Sequence, residues 1–228
     1  EFYVAYASGG VWYTKNNGTS FEPVFDNAMT QNIGTLAVDW HKDVIWVGTG
    51  EVNASRSSYA GIGLLKSVDR GESWLSMGLI DGHHISRILL DPEKPEQVLV
   101  SVVGHLYSDN TTRGIYKSTD SGMTWNQTLY LGPDTGIIEM VAQPSNPSTI
   151  YAASWQKDRK AWHFEGSGSK SGIFKSDDAG DTWSLITNEE SGFPIGAGVG
   201  RIGLAVYDQN TLYAILDNQD HRASEAKD

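Results

Sequence analysis

The sequence contains an eight-residue stretch that occurs four times and restricts the chain to a repeat architecture. Three copies follow one rule: Ser, any residue, Asp, any residue, Gly, any residue, Ser or Thr, Trp. A fourth copy has Thr, Asn and Phe in place of the first Ser, the Asp and the Trp. The copies occupy residues 14–21, 67–74, 118–125 and 176–183, so their starts lie 53, 51 and 58 residues apart. A period near fifty residues is typical of propellers and other repeat folds.

The chemistry of the repeated stretch predicts a tight turn between two strands. Each full copy follows a short apolar run that ends in Lys, and each leads into a second short strand that begins with the Trp. The Asp side chain accepts hydrogen bonds from backbone N–H groups of the turn, and the Gly permits a positive φ. The Trp buries a large flat surface. We expect this structural role for Asn16, Asp69, Gly71, Trp74, Asp120, Gly122, Trp125, Asp178, Gly180 and Trp183.

Short strand patterns around the turns predict an all-β fold, a β-propeller of four-stranded antiparallel blades. We expect part of a first blade in residues 1–26, full blades in 27–79, 80–131 and 132–188, and the start of a fifth in 189–228. About four blades are present, and the chain begins inside a repeat. We therefore expect it to be a piece of a larger propeller. The alternative is a closed four-bladed ring whose last strands complete the first blade.

Composition excludes several classes of function. The net charge is −11, which argues against binding of nucleic acid or of anionic membranes. There are no cysteines, so disulfides, thiolate catalysis and Cys-ligated zinc are excluded. No apolar run is long enough to span a bilayer, so direct membrane insertion is not expected. No signal peptide precedes the first strand, and we expect the true N-terminus to lie upstream.

The repeated turn resembles the Asp-box, or BNR repeat, of sialidase-like and sortilin-type β-propellers. Residues 47–56 and 155–162 are also similar to segments of bacterial secreted propellers related to the sortilin extracellular domain. Such proteins often carry a glycosyl hydrolase label. The resemblance implies a propeller fold and a secreted, periplasmic or cell-surface location. It implies nothing firm about activity, because the Asp-box alone does not carry catalysis.

Propeller topology places the long loops on one face and the repeated turns on the other. Loops between the second and third strands of the blades cover residues 51–62, 104–113, 156–171 and 217 onward. Long loops on one end of a rigid scaffold are the usual place for binding. The ligand-binding candidates are Glu51, Asn53, Arg56, Tyr59, His84, Arg87, His105, Tyr107, Arg113, Arg159, Trp162 and Arg201.

Three functions are consistent with these residues. The first is a non-catalytic propeller that binds a peptide, a protein or a glycan. The second is a glycoside hydrolase, which needs two carboxylates flanking the scissile bond. Its candidate carboxylates are Glu51, Asp109, Glu139, Asp158 and Glu165, with Glu51 the preferred catalytic residue. The third is a structural module of a large exported protein. No cofactor is expected, and no metal either, because adjacent side chains such as His83 and His84 point apart in an extended segment.

Overall fold

A computed structural model of the chain describes residues 1–221, and almost all of its regular structure is β-strand. The first sheet contains β1 (Phe2–Tyr6), β2 (Gly10–Thr14) and β3 (Glu22–Pro23). The second contains β4 (Ile33–Asp39), β5 (Val44–Thr49), β6 (Leu64–Ser67) and β7 (Leu75–Ser76). The third contains β8 (Ile85–Leu90), β9 (Val98–Val102), β10 (Gly114–Ser118) and β11 (Asn126–Leu129).

The fourth sheet is interrupted by a small hairpin that the sequence did not predict. It contains β12 (Thr135–Gln143) and β13 (Asn146–Gln156), and the hairpin of β14 (Asp158–Arg159) and β15 (Phe164–Glu165) follows. The sheet is completed by β16 (Ile173–Ser176) and β17 (Ser184–Leu185). The last two strands, β18 (Val199–Asp208) and β19 (Thr211–Asn218), pair with each other. Three short 3-10 helices lie at Ile80–Gly82, Glu189–Ser191 and Gln219–His221.

Each complete sheet is an antiparallel meander, as the sequence predicts for a propeller blade. The strand orders are β4-β5-β6-β7, β8-β9-β10-β11 and β12-β13-β16-β17. The outer strands β7 and β17 are only two residues long, and each begins one residue after the Trp with which the sequence predicts it to start. Short outer strands limit pairing with other chains at an exposed sheet edge.

The blades pack face to face in a row, with an apolar layer between each neighbouring pair. Strand β9 reads Val-Leu-Val-Ser-Val and all five residues are buried, which is typical of a strand covered on both faces. Between the second and third blades the layer includes Trp46, Leu64, Ile85 and Val100. Between the third and fourth it includes Leu99, Ile115, Ile137 and Met140. Burying one such aliphatic side chain contributes about 1.5–3 kcal/mol.

The two ends of the row do not share a sheet. Within residues 1–221, β18 and β19 pair only with each other, and β1 pairs only with β2. The last strands therefore do not complete the first blade in the way that the closed four-bladed ring requires. Residues 222–228, at the end of the stretch predicted to start a fifth blade, lie outside the described residues.

The repeated turns have one hydrogen-bond pattern. In the second blade the Ser67 hydroxyl donates to Asp69 Oδ1 at 2.7 Å, and the Ser73 backbone N–H donates to the same oxygen at 3.0 Å. The Gly71 N–H donates to Ser67 Oγ at 2.8 Å, and Gly71 has a φ of +96°. Hydrogen bonds from the Ser73 side chain and backbone hold the pKa of Asp69 at about 2. The same bonds recur around Asp120 and Asp178.

Each turn is also tied to the blade before it. The indole N–H of Trp74 donates to the Val24 carbonyl at 3.0 Å, and that of Trp125 donates to the Met77 carbonyl at 2.8 Å. The indole of Trp183 donates to the Thr128 hydroxyl at 3.2 Å. The turns thus stabilise the contact between neighbouring blades as well as the strands that they connect.

Candidate functional site

Hydrogen bonds between blades join three long loops on the face opposite the turns into one surface. We call this the loop face, and the opposite side the turn face. The Tyr107 hydroxyl, in the loop 104–113, donates to the Arg56 carbonyl at 2.7 Å. Arg159, in the loop 156–171, donates through Nε to the Ala54 carbonyl at 2.9 Å. The loop face is therefore built jointly by the second, third and fourth blades.

Lys157 lies beneath this surface and links two of the loops. It is only 3% exposed, and its ammonium donates to the His105 carbonyl at 3.1 Å. Burial, together with the nearby Arg113 and Arg159 cations, lowers the pKa of Lys157 to about 7. Lys157 was not among the candidates predicted from the sequence. Its only signal was position, since it directly follows β13, in which residues 152–155 are buried.

Arg113 was predicted to contact ligand, and the structure places it inside its own loop. Its side chain is 1% exposed and donates to the carbonyls of Val103 at 2.7 Å, His105 at 3.0 Å and Ser108 at 3.1 Å. Burial lowers the pKa of the guanidinium. A side chain so enclosed fixes the course of the loop 104–113.

A cluster of Asp81, His83 and His105 lies where the second and third blades meet on the loop face. His105 Nε2 is 3.2 Å from Asp81 Oδ1, and the rings of His83 and His105 stack with centroids 3.8 Å apart. Hydrogen bonds lower the pKa of Asp81, and the one from the Thr112 side chain has the largest effect. The three donors lie within 4.8 Å of one another, a grouping that the sequence analysis did not foresee. The imidazoles meet face to face, however, whereas a metal ion binds through a ring nitrogen.

The rings of His83 and His84 are oriented differently, although the segment is not the extended one expected from the sequence, because His83 has a φ of +53°. Their ring centroids are 6.4 Å apart and the rings are inclined by 75°. His84 is 3% exposed and its Nδ1 has no hydrogen-bond partner in the described structure. The pKa of His84 is lowered to about 4, mainly by burial and to a smaller extent by the nearby Lys157 and His83.

The inner strands bring Arg87, Glu139 and Arg201 near one another. Arg87 forms a bidentate ion pair with Glu139, with Nη2 2.7 Å from Oε2. Arg201 lies over the Trp155 ring at 5.7 Å from its centroid. Each inner strand has an irregularity in its pairing close to these residues, between Ile85 and Arg87 in β8 for example. Bulges of this kind redirect side chains and are common beside functional sites.

The remaining candidates differ in exposure. Glu51 is half-buried and lines a narrow crevice with His84 and Lys157. Asn53 and Arg56 are exposed, as are Tyr59 at 60% and Trp162 at 84%. Arg159 lies over the Phe164 ring at 3.8 Å from its centroid. These side chains give the loop face aromatic rings and cations that a ligand can reach.

Several carboxylates proposed for hydrolysis are engaged by neighbouring groups. Glu139 is paired with Arg87, and Asp158 with Lys160 at 3.0 Å. Glu165 accepts a hydrogen bond from the Ser167 hydroxyl at 3.0 Å. A pair of catalytic carboxylates instead faces the substrate from two sides. Within residues 1–221, neither Glu51 nor Asp109 is held by a side-chain hydrogen bond or ion pair of this kind, so these two remain the catalytic candidates of the original set.

Structural comparison defines the chain as a β-propeller protein. It resembles an ancestral GH74 enzyme (TM-score 0.65, 19% identity, 95% of this chain and 26% of that one). It also resembles a GH74 enzyme of Niastella koreensis (TM-score 0.61, 19% identity, 95% and 31%). A third similar structure is YCF48 bound to D1 peptide (TM-score 0.55, 14% identity, 95% and 58%). The predicted all-β propeller fold is confirmed.

These likenesses concern the fold alone, because the sequence identities are low. The chain spans 26% and 31% of the two GH74 structures. No protein-family model and no curated protein matches the sequence. Among the described residues, none of the helices has the length and apolar character needed to cross a membrane.

Proposed function

We propose that the chain is part of a non-catalytic propeller that binds an extended ligand, a peptide or a glycan, on the loop face. The observation that carries the proposal is the set of hydrogen bonds between loops, from Tyr107 to Arg56 and from Arg159 to Ala54. Loops already fixed in place lose little conformational entropy when a ligand binds. The loop face is thus a preorganised surface.

The exposed side chains of the loop face suit such a ligand. Tyr59, Tyr107 and Trp162 offer aromatic surface, and Arg56 offers an exposed guanidinium. Aromatic and Arg side chains supply most of the affinity in many interfaces. One of the structural neighbours, YCF48, was solved with a bound peptide, which supports a peptide as the first ligand class to test.

A glycoside hydrolase is the second candidate. The GH74 neighbours favour it at the level of fold, and Glu51 beside the buried Lys157 is the observation that favours it in this chain. The engagement of Glu139, Asp158 and Glu165 by other groups supports the binding role instead. A purely structural module is the third possibility and predicts no ligand on the loop face.

The proposal extends to the parent protein. We propose that residues 27–79, 80–131 and 132–188 are complete blades, and that further blades of the same parent chain adjoin residues 1–26 and 189–228. We also propose an exported location, as expected for sortilin-type propellers.

Binding and hydrolysis are separated by one set of variants. The 228-residue chain is tested against arrays of 12-residue peptides and of neutral oligosaccharides. Trp162→Ala and Arg56→Ala should each weaken binding of a hit about tenfold, since both remove exposed contact groups. Leu185→Ala, on the outer strand β17, is the matched control and should bind like wild type.

Two results would contradict the binding role. If Leu185→Ala weakens binding as much as Trp162→Ala, the ligand is not on the loop face. Release of reducing ends from xyloglucan by the wild-type chain, abolished in Glu51→Gln, would identify a hydrolase. Absence of any hit on both arrays would favour the structural module.

A further inference from the structure

The turn face carries two equivalent grooves between neighbouring blades, and they differ greatly in size. The groove between the second and third blades has a volume of about 330 Å³, whereas that between the third and fourth has about 20 Å³. The same repeat positions line both: Trp46 corresponds to Leu99, and Ser121 corresponds to Ala179. One inter-blade groove is therefore open where its copy is filled.

A repeated lysine distinguishes the open groove from the other blades. Lys66, Lys117 and Lys175 each stand directly before a turn. Lys117 pairs with Asp181 of the next turn at 2.8 Å, and Lys175 pairs with Asp177 at 2.8 Å. Within residues 1–221, no carboxylate lies within ion-pair distance of Lys66.

The missing partner of Lys66 can be read from the copy at Lys117, which pairs with the next turn, whereas Lys175 pairs with its own. Asp181 is the sixth residue of its turn, and the sixth residue of the turn facing Lys66 is Met123. Met123 is 76% exposed, so it does not fill the position with buried apolar surface. The open groove thus has a lysine at the position of Lys117 but has no acid at the position of Asp181.

Lys66 faces this groove with unused hydrogen-bonding capacity. Its ammonium lies 4.5 Å from the centroid of the Trp46 ring and donates to the Ser121 carbonyl at 3.2 Å. An ammonium has three donor hydrogens, so donors remain for a ligand. Burial, together with the Lys42 cation, lowers the pKa of Lys66, which is the effect of a charge without a counter-ion.

The other walls of the groove are suited to a sugar ring. Trp40 lines it, with its ring packed against Tyr3 at 5.4 Å between centroids, and its 49% exposure leaves indole surface for stacking with a ligand. Asp39 and Asp91 stand at the rim and use Oδ1 to accept backbone N–H groups of their own turns. Carboxylates in this position accept hydrogen bonds from the hydroxyl groups of a sugar, which the side chains of an acidic peptide do not supply.

We propose that the groove binds a carboxylate-bearing sugar, a uronate residue of an acidic glycan. The sugar carboxylate takes the place of the missing acid beside Lys66, its apolar face packs on Trp40, and its hydroxyls donate to Asp39 and Asp91. A volume near 330 Å³ is at the lower end of small-ligand pockets and suits a single ring with part of its neighbour. The groove lies on the turn face, so this site is separate from the loop face and does not depend on its function.

Calorimetric titration of the 228-residue chain with tri-galacturonate, and with neutral galactotriose as its matched partner, tests the site. The acidic sugar should bind and the neutral one should bind at least about tenfold more weakly, because a charge-assisted hydrogen bond is lost. Lys66→Met should reduce uronate affinity by about the same factor. Lys117→Met, the same change at the equivalent lysine of the third blade, should leave the uronate affinity unaltered.

Met123→Asp gives an independent test that does not remove any group of the groove. It supplies the acid that the repeat has at Asp181, and the expected result is an internal ion pair with Lys66 and the loss of uronate binding. Because Met123 is exposed, the variant should fold like wild type, which circular dichroism checks. Wild-type affinity in both Lys66→Met and Met123→Asp would overturn the proposal. So would equal binding of galactotriose, or displacement of the uronate by an equimolar tetraglutamate peptide.

Discussion

On the turn face, the Ser hydroxyls of three blades each donate to an Asp two residues later at 2.7 Å, and the surrounding bonds repeat almost without change. On the loop face, the bonds that hold the loops differ from one blade to the next. Arg113 fixes one loop by donating to three carbonyls, while Tyr107 and Arg159 connect loops of different blades. The bonds that repeat hold the turns of every blade in the same way. The bonds that differ shape the loop face, on which we propose that a ligand binds.

The same lesson applies within the turn face. The groove beside Lys66 differs from its copy at two positions, with Met123 where the copy has Asp181 and Trp46 where the copy has Leu99. The site that we propose there rests on this difference between two copies of one repeat.

The largest effect is expected from a change to the repeated turn. Gly122 has a φ of +89°, and an added Cβ would lie 2.6 Å from the Trp46 ring. Gly122→Ala should lower the free energy of unfolding by about 4 kcal/mol, from backbone strain and overpacking together. Gly192→Ala is the matched control on a loop. Its φ is +70° with no atom within 4 Å of the added Cβ, so about 1 kcal/mol is expected. Urea unfolding of both variants measures the difference, and equal losses would refute the packing explanation.

A somewhat smaller loss is expected when the loop face loses its internal support. Arg113→Met leaves the carbonyls of Val103, His105 and Ser108 without their donor and should cost about 3 kcal/mol. Arg56→Met, at an exposed arginine, should change stability by less than about 0.5 kcal/mol. Chemical denaturation gives both values. If Arg56→Met is the more damaging of the two, the supporting role assigned to Arg113 is wrong.

The two faces should lose stability in different pH ranges. His84 has a folded pKa of about 4, below its ordinary value of 6.5, so the unfolded chain binds the proton more tightly and stability falls as pH drops from 6.5 towards 4. Between pH 6.5 and pH 5 the expected loss is about 2 kcal/mol. His84→Leu should flatten this part of the stability profile, while His41→Leu, at an exposed histidine, should not. An unchanged slope in His84→Leu would show that another group causes the acid sensitivity.

The smallest change in stability at neutral pH is expected when the Asp side chains of the turns are replaced by Asn. Asp69, Asp120 and Asp178 have folded pKa values of about 2, so their contribution is present above pH 3.8 and is lost as pH falls towards 2. In the first blade Asn16 already performs the same role, accepting from the Ser20 N–H at 3.0 Å. The triple Asp→Asn variant should therefore unfold like wild type at pH 7 and be less sensitive between pH 4 and pH 2. A large loss of stability at pH 7 would mean that the carboxylate charge itself is required.

The scaffold could be predicted from the sequence because its interactions are local. The bonds around Asp69 join residues at most four positions apart, and their spacing is visible in the chain. The functional surfaces depend on contacts between blades, which spacing does not encode. The pairing of His105 with Asp81 spans 24 residues, and that of Arg87 with Glu139 spans 52. For the same reason the burial of Lys157 and the hairpin β14–β15 were missed.

The turn face was also undervalued at the sequence level. The ligand candidates predicted from the sequence lie in loops of the opposite face or, for Arg87 and Arg201, on inner strands, whereas Lys66, Trp40 and Trp46 line a groove beside short turns. Comparing the sixth residue of each turn would have found the absent acid at Met123. It would not have shown the open groove, because its volume depends on how two blades pack.

The indole hydrogen bonds from each turn have a direction along the chain. Trp74, Trp125 and Trp183 donate to groups that lie 50, 48 and 55 residues earlier. During synthesis, each acceptor therefore leaves the ribosome before its donor, and a newly made blade can dock at once on a completed neighbour. Domains tend to fold from the N-terminal side as the chain emerges. The architecture is suited to folding one blade at a time, because the tryptophan of each new blade bonds to the blade made before it.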